Sequence, residues 1–222
     1  MKTLKTTLRG SANSKAGWSL IELTIILIVL SILCAILAPV IGRFVRNAKI
    51  VRCREDVQAI GCAIWMFIED TGIEYFRRCG TNPAQGGVCL AVGDGLIPSY
   101  GLGGSNNWRQ QVNLAEVDYL VNHLVENVPG NSASNRYRTP LDVGFNAEFA
   151  WRGPYITPPI LPDPWGNRYA VNAEFMGPGP HTEDAVVYSA GPNGYVNTKW
   201  NVDGLTPGDD DILYTFSANS TP

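Results

Sequence analysis

Nineteen consecutive residues, Leu23 to Ile41 (LTIILIVLSILCAILAPVI), carry no charge. A helix rises 1.5 Å per residue, so this run nearly spans a bilayer core of roughly 30 Å. It starts too deep in the chain, and runs too long, for the apolar part of an ordinary secretory signal. The pattern then changes period. Ile50, Cys53, Val57, Ile60, Ile64 and Phe67 alternate spacings of three and four, which draws one apolar stripe along a helix. Arg52, Glu55, Gln58 and Glu69 lie off the stripe, and Thr71-Gly72 predicts the stop. Residues 19–71 therefore read as one helix about 80 Å long. Its first half is apolar all round and needs lipid or sister helices. Its second half has one apolar face and needs a domain to pack on. Pro39 lacks an amide hydrogen and predicts a kink or loosening at its position.

After residue 73 the punctuation is different. A stretch rich in Gly, Asn and Pro covers 77–113 and reads as loop. Leu114 to Asn127 (LAEVDYLVNHLVEN) has helical spacing, and a second loop covers 128–148. Three short runs rich in β-branched and aromatic residues follow, 168–172, 184–189 and 212–217. Gly, Pro and Asn border them, which favours a small antiparallel sheet. The chain divides into 1–17, a basic leader; 18–72, a transmembrane and assembly helix; 73–148, a loop-rich insertion with a helix near 114–127; and 149–222, sheet and C-terminal loops. The fold class is α+β, a long N-terminal helix with a transmembrane first half packed on a small antiparallel sheet domain.

Charge sharpens this picture at one end. The net charge is −3, so no nucleic-acid footprint is present. Residues 1–17 hold Lys2, Lys5, Arg9 and Lys15 and no acid; without them the net charge is −7. Positive charge ahead of the apolar run keeps the N-terminus cytoplasmic. Arg43, Arg46, Lys49, Arg52 and Arg54 follow the run, so the charge rule alone is ambiguous, and the leader's position tips it. Gly 23 and Pro 15 in 222 residues suit a loop-rich α+β domain better than a bundle.

The junction reads Lys15-Ala16-Gly17-Trp18-Ser19-Leu20-Ile21-Glu22. An ionisable residue at the edge of an apolar run marks either a helix end in the headgroup zone or a functional site. The whole arrangement resembles the prepilin cleavage site of type IV pilins and type II secretion pseudopilins. The resemblance implies cleavage after Gly17 by a prepilin peptidase and N-methylation of Trp18, which stands where the family usually has Phe. It also matches Glu22 to the family's acidic residue and Pro39 to a Pro many pilins carry, and it implies a pilin-like fold. In a bundle of apolar helices Glu22 needs a cationic partner, and the free α-amino group of Trp18 on a neighbouring subunit supplies one.

Trp151-Arg152-Gly153-Pro154-Tyr155 and Leu161-Pro162-Asp163-Pro164-Trp165-Gly166-Asn167-Arg168-Tyr169 are similar to motifs of the major pseudopilin of type II secretion. Asp163 to Asn167 also reads simply as a tight turn, with Pro fixing one φ and Gly supplying an unusual one. Trp151 and Trp165 then pin that turn on the long helix. The resemblance covers about 18–72 and 149–216 and omits most of 73–148.

Candidate chemistry is sparse. His123 and His181 have no metal-ligand spacing, and no nucleophile elbow or phosphate loop is present, so no enzyme is read here. Cys53 and Cys62 would lie on opposite helix faces, about 13 Å apart along the axis. Cys79 and Cys89 fall in a polar stretch on the oxidising side of the membrane, and they are expected to form a disulfide. Asp209, Asp210 and Asp211 are consecutive and repel one another unless solvated or neutralised. A solvated acidic turn and a bound Ca²⁺ both answer that; Ca²⁺ takes oxygen ligands in flexible geometry. The resemblance implies calcium, held by the main-chain oxygen of Ala190 and by Asn193, Asp209 and Asp211; Asn193 stands where the family usually has Asp, and the longer loop between 194 and 208 offers Asp203 as a ligand instead.

The function the resemblance implies is a structural subunit of a type IV pilin-like filament, the major pseudopilin of a type II secretion system, polymerising through its N-terminal helix. Its partners would be further copies of itself, the prepilin peptidase, an inner-membrane assembly platform and minor pseudopilins. It would cross the inner membrane once, with a periplasmic C-terminal domain. A surface type IV pilus pilin and a membrane-anchored periplasmic binding module are the alternatives.

Overall fold

The computed structural model describes residues 17–72, 76, 89–92, 95–96, 98–100, 119–142, 148–172, 176, 185–198 and 208–216. The chain forms two compact units, Met1–Arg46 and Asn47–Pro222. One helix, α1, runs from Leu20 to Thr71 and includes Pro39.

In the first unit every described side chain is exposed. Thr24 Oγ1 and Ser31 Oγ donate to the carbonyls of Ile21 and Ile28, each at 2.8 Å. A hydroxyl that bonds its own helix leaves no polar group unmet in an apolar surround. The helix is long and apolar enough to cross a membrane.

In the second unit α1 becomes amphipathic. Cys53, Val57, Ile60, Ala63, Ile64 and Phe67 are buried, and Ile50 packs against them. The stripe read from the sequence is thus the core face. Gly72 ends the helix at φ +62°, and its N–H donates to the Ile68 carbonyl at 2.9 Å. That is the left-handed C-terminal stop glycine tolerates best.

The stripe packs on a four-stranded antiparallel sheet of order β1-β3-β4-β6. Its strands are β1 (Cys89–Val92), β3 (Tyr169–Asn172), β4 (Ala185–Ser189) and β6 (Ile212–Phe216), while β2 (Ser99–Tyr100) pairs in parallel with β5 (Tyr195–Val196). The predicted runs at 168–172, 184–189 and 212–217 lie within one residue of β3, β4 and β6. Every residue of β3 and β4 is buried, as central strands require. The register sets Cys89 opposite Asn172, Val171 opposite Val187, and Val187 opposite Tyr214. β1 and β2 fall inside the stretch expected to be loop; Cys89-Leu90-Ala91-Val92 is a short apolar run between glycines, which is enough for an edge strand.

The helix expected over 114–127 is seen as α2, Leu120–Leu124, with Tyr119 before it; residues 114–118 lie outside the described residues. It brings His123 into an aromatic cluster. Phe67 lies 5.0 Å from Phe76, 4.9 Å from Tyr137 and 5.9 Å from Tyr155, centroid to centroid. His123 Nδ1 and Tyr137 Oη are 2.7 Å apart, so this buried histidine is a satisfied core residue. His181 lies outside the described residues.

Candidate functional site

Three places bear on function: the start of α1, the two Trp-containing motifs and the acidic loop. At the start of α1, Gly17 has open space around it and Trp18 is 73% exposed. Leu23 N–H donates to the Ser19 carbonyl at 3.2 Å, which makes Ser19 the cap residue. Glu22 Oε2 accepts from the Ser19 N–H at 3.0 Å. This is one half of a capping box, in which a carboxylate three residues into the helix satisfies an orphan donor. Within one chain, then, Glu22 has a structural role that the pattern Ser-x-x-Glu signals and that the sequence reading above did not take.

The first Trp motif fastens the end of α1 to α2. Ala150 N–H donates to the Asp70 carbonyl at 2.7 Å, and Arg152 bridges the Asp70 carboxylate at 2.9 Å. Trp151 Nε1 donates to the His123 carbonyl at 2.9 Å, and Tyr155 N–H to that of Leu124 at 2.8 Å. Burial pushes the Tyr155 phenol up to about 12.

The second motif is built on Asp163, which is 3% exposed. Its Oδ1 accepts from the N–H groups of Trp165 at 3.0 Å and Asn167 at 2.8 Å. Its Oδ2 accepts from Ser189 Oγ at 2.7 Å, which ties the turn to the end of β4. Gly166 takes φ +95°, the unusual backbone that the turn reading required. Trp151 and Trp165 both pack against the core formed on α1, as expected. Beside the turn, Tyr169 Oη donates to Asp56 Oδ2 at 2.7 Å, and Arg52 pairs with Asp56 at 3.5 Å. Burial pushes the neighbouring Cys53 thiol up to about 11 and also raises the Tyr169 phenol. An open groove of about 270 Å³ borders these residues; Arg52, Asp56 and Tyr169, which line it, bond one another.

The acidic loop meets the turn Gly191–Gly194. Asn193 N–H donates to Asp210 Oδ2 at 3.0 Å, and Asn193 Oδ1 accepts from Tyr195 N–H at 2.6 Å. Asp211 is buried. Its Oδ2 accepts from Asn197 N–H at 2.9 Å, and from Thr198 N–H and Oγ1 at 2.6 Å each. Its Oδ1, and Oδ1 of Asp210, are buried without a partner. Burial raises the Asp211 carboxyl above its usual range, more than the donors from Thr198 and Asn197 lower it.

The sequence had put Asp209 and Asp211 forward. The loop instead turns Asp210 and Asp211 inward, while Asp209 is exposed at φ +51°. Three consecutive aspartates carry no signal of which faces in; only the fold decides it. Ala190 is fully buried beside this turn, and Asn193 is exposed. Among the described residues no three His, Cys, Asp or Glu side chains converge as a metal-binding group. Asp203 and Cys79 lie outside the described residues, as does the side chain of Cys89, whose backbone is in β1. Two buried carboxylate oxygens without donors fit a hard cation, which would supply the missing positive charge there.

Residues 141–204 match the family model of Type II secretion system (T2SS), protein G. The matched segment holds both Trp motifs, β3, β4 and the turn Gly191–Gly194. The match supports a pilin-like pseudopilin of type II secretion. That family is a structural component of the secretion system, not an enzyme family. No curated protein and no solved structure matches the chain.

Proposed function

We propose that the chain is the major pseudopilin of a type II secretion system, a subunit that polymerises into a filament through α1. One observation carries this reading: an apolar half-helix whose described side chains are all exposed joins a unit whose Trp motifs, β3 and β4 lie in the segment that matches the protein G family. Among the described residues of the first unit, nothing covers those apolar side chains. Burying each Val, Leu or Ile is worth about 1.5–3 kcal/mol, and lipid first, then sister helices, provide the burial.

Cleavage after Gly17 by a prepilin peptidase frees the amino group of Trp18. Glu22 of a neighbouring copy then gains a cation in place of its own Ser19 N–H. The C-terminal domain sits in the periplasm, and an inner-membrane assembly platform with minor pseudopilins starts the polymer. Ca²⁺ binds the acidic loop through Asp210 and Asp211, with Ala190, Asn193 and Asp209 as the further oxygens the family resemblance implies and Asp203 as the carboxylate that replaces the charge missing at Asn193.

The test is fractionation after overexpression. Wild-type chain should shear off as high-molecular-weight filaments, and Glu22→Ala should be processed but assemble at least about tenfold less, since a lost buried charge pair exceeds 1.4 kcal/mol. Wild-type protein that stays strictly monomeric in the membrane overturns the reading. Normal filament yield from Glu22→Ala overturns the pairing.

A further inference from the structure

The outer face of α1 in the second unit repeats itself with the charge reversed. Val51 and Arg54 form one pair three residues apart; Met66 and Glu69 form another. The second pair is the first displaced by fifteen residues, apolar for apolar and acid for base. All four lie off the buried stripe and are exposed; Val51 and Met66 are 50% and 56% exposed. Neither Arg54 nor Glu69 forms an ion pair among the described residues. The other charges of this helix segment that are in reach of a partner are used at home, Arg52 by Asp56 and Asp70 by Arg152.

We propose that this face docks α1 of one copy in parallel on α1 of a second copy, offset along the axis by fifteen residues, about 22 Å. That offset sets Met66 of one copy on Val51 of the next and Glu69 on Arg54. No single antiparallel register sets both Val51 on Met66 and Arg54 on Glu69, and a parallel copy without offset sets like against like. Two parallel strips of the same helix cannot neutralise each other unless they slide, and fifteen residues is the slide that matches both the apolar and the charged position. The contact leaves Glu69 and Met66 open at one end of each dimer and Val51 and Arg54 open at the other, so it propagates rather than closes. The inference rests on the filament reading above and names the face and the offset that such a filament would use.

The experiment is charge reversal in the full chain, read as filament yield after shearing. Glu69→Arg and Arg54→Glu should each lower the yield about tenfold, the size of a 1.4 kcal/mol change at a repeated contact. The double variant Arg54→Glu/Glu69→Arg restores the pair with its sign exchanged and should recover most of the loss. Both sites are exposed, so thermal unfolding of each variant should match wild type; this separates assembly from folding. Single variants with wild-type yield, or a double variant no better than the singles, overturn the offset contact while wild-type filaments keep the filament reading. A wild type that forms no filaments overturns the filament reading and the contact with it.

Discussion

Removing the carboxylate of Asp163 should be the most damaging polar change in the domain. Asp163→Ala takes away the acceptor for Trp165 N–H, Asn167 N–H and Ser189 Oγ at 3.0, 2.8 and 2.7 Å. Bonds to a charged acceptor are worth about 1.5–3 kcal/mol each, and a site 3% exposed has little water to replace them. The sum overstates the loss, because the three bonds share one group and the variant also escapes the burial of a charge. A net loss of about 3 kcal/mol is expected, or about 6–12 °C in melting temperature for a domain of this size. Thermal unfolding of detergent-solubilised protein, followed by near-ultraviolet circular dichroism, measures it. Ser189→Ala should lose much less, and the double variant should lose little more than Asp163→Ala alone, because the two side chains share one bond. A midpoint for Asp163→Ala within about 2 °C of wild type would falsify the claim that this carboxylate holds the turn on β4.

Two further changes act through the helix and the acidic loop. Gly61→Ala would ordinarily favour a helix by about 1 kcal/mol, but a Cβ at Gly61 falls within the Tyr214 ring. Melting should therefore drop by the equivalent of about 1–3 kcal/mol, and a Tyr214→Ala background should reverse the sign; a gain in the wild-type background refutes the packing argument. Asp211→Asn removes a carboxyl whose folded pKa is raised. Such a group stabilises below its unfolded pKa, about 3.9, and that contribution is lost as pH rises through the folded value. In chelator the variant should thus equal or exceed wild type at neutral pH. In millimolar calcium wild type should gain RT ln(1 + [L]/Kd), about 2.7 kcal/mol at a hundredfold excess over Kd, and Asp211→Asn should gain far less. Equal melting of wild type with calcium and with chelator sinks the site.

What the sequence made legible follows a physical division. The stripe from Ile50 to Phe67 is set by helix period, and its core role is fixed wherever it packs. β3, β4 and β6 carry β-branched and aromatic residues between turn residues, so they read to within one residue. β1, β2 and β5 have four residues or two, and pairing with distant strands defines them, which no local period records. The same holds for the sites. Pro164 and Gly166 announce a turn, but the role of Asp163 depends on Ser189, 26 residues away. Asp210 could not be told from Asp209 until the backbone at Asp209 entered positive φ. Glu22 is the opposite case: its cap is local, written in the spacing Ser19-x-x-Glu22 at the edge of the apolar run.

The central claim is that α1 becomes a filament helix only after the basic leader is removed at Gly17-Trp18. Intact-mass and N-terminal fragment analysis of protein sheared from cells tests it directly. The account predicts a chain that begins at Trp18 and carries one N-methyl group. A filament-derived chain that still begins at Met1, or one cut at residue 30 or later inside the apolar run, contradicts it.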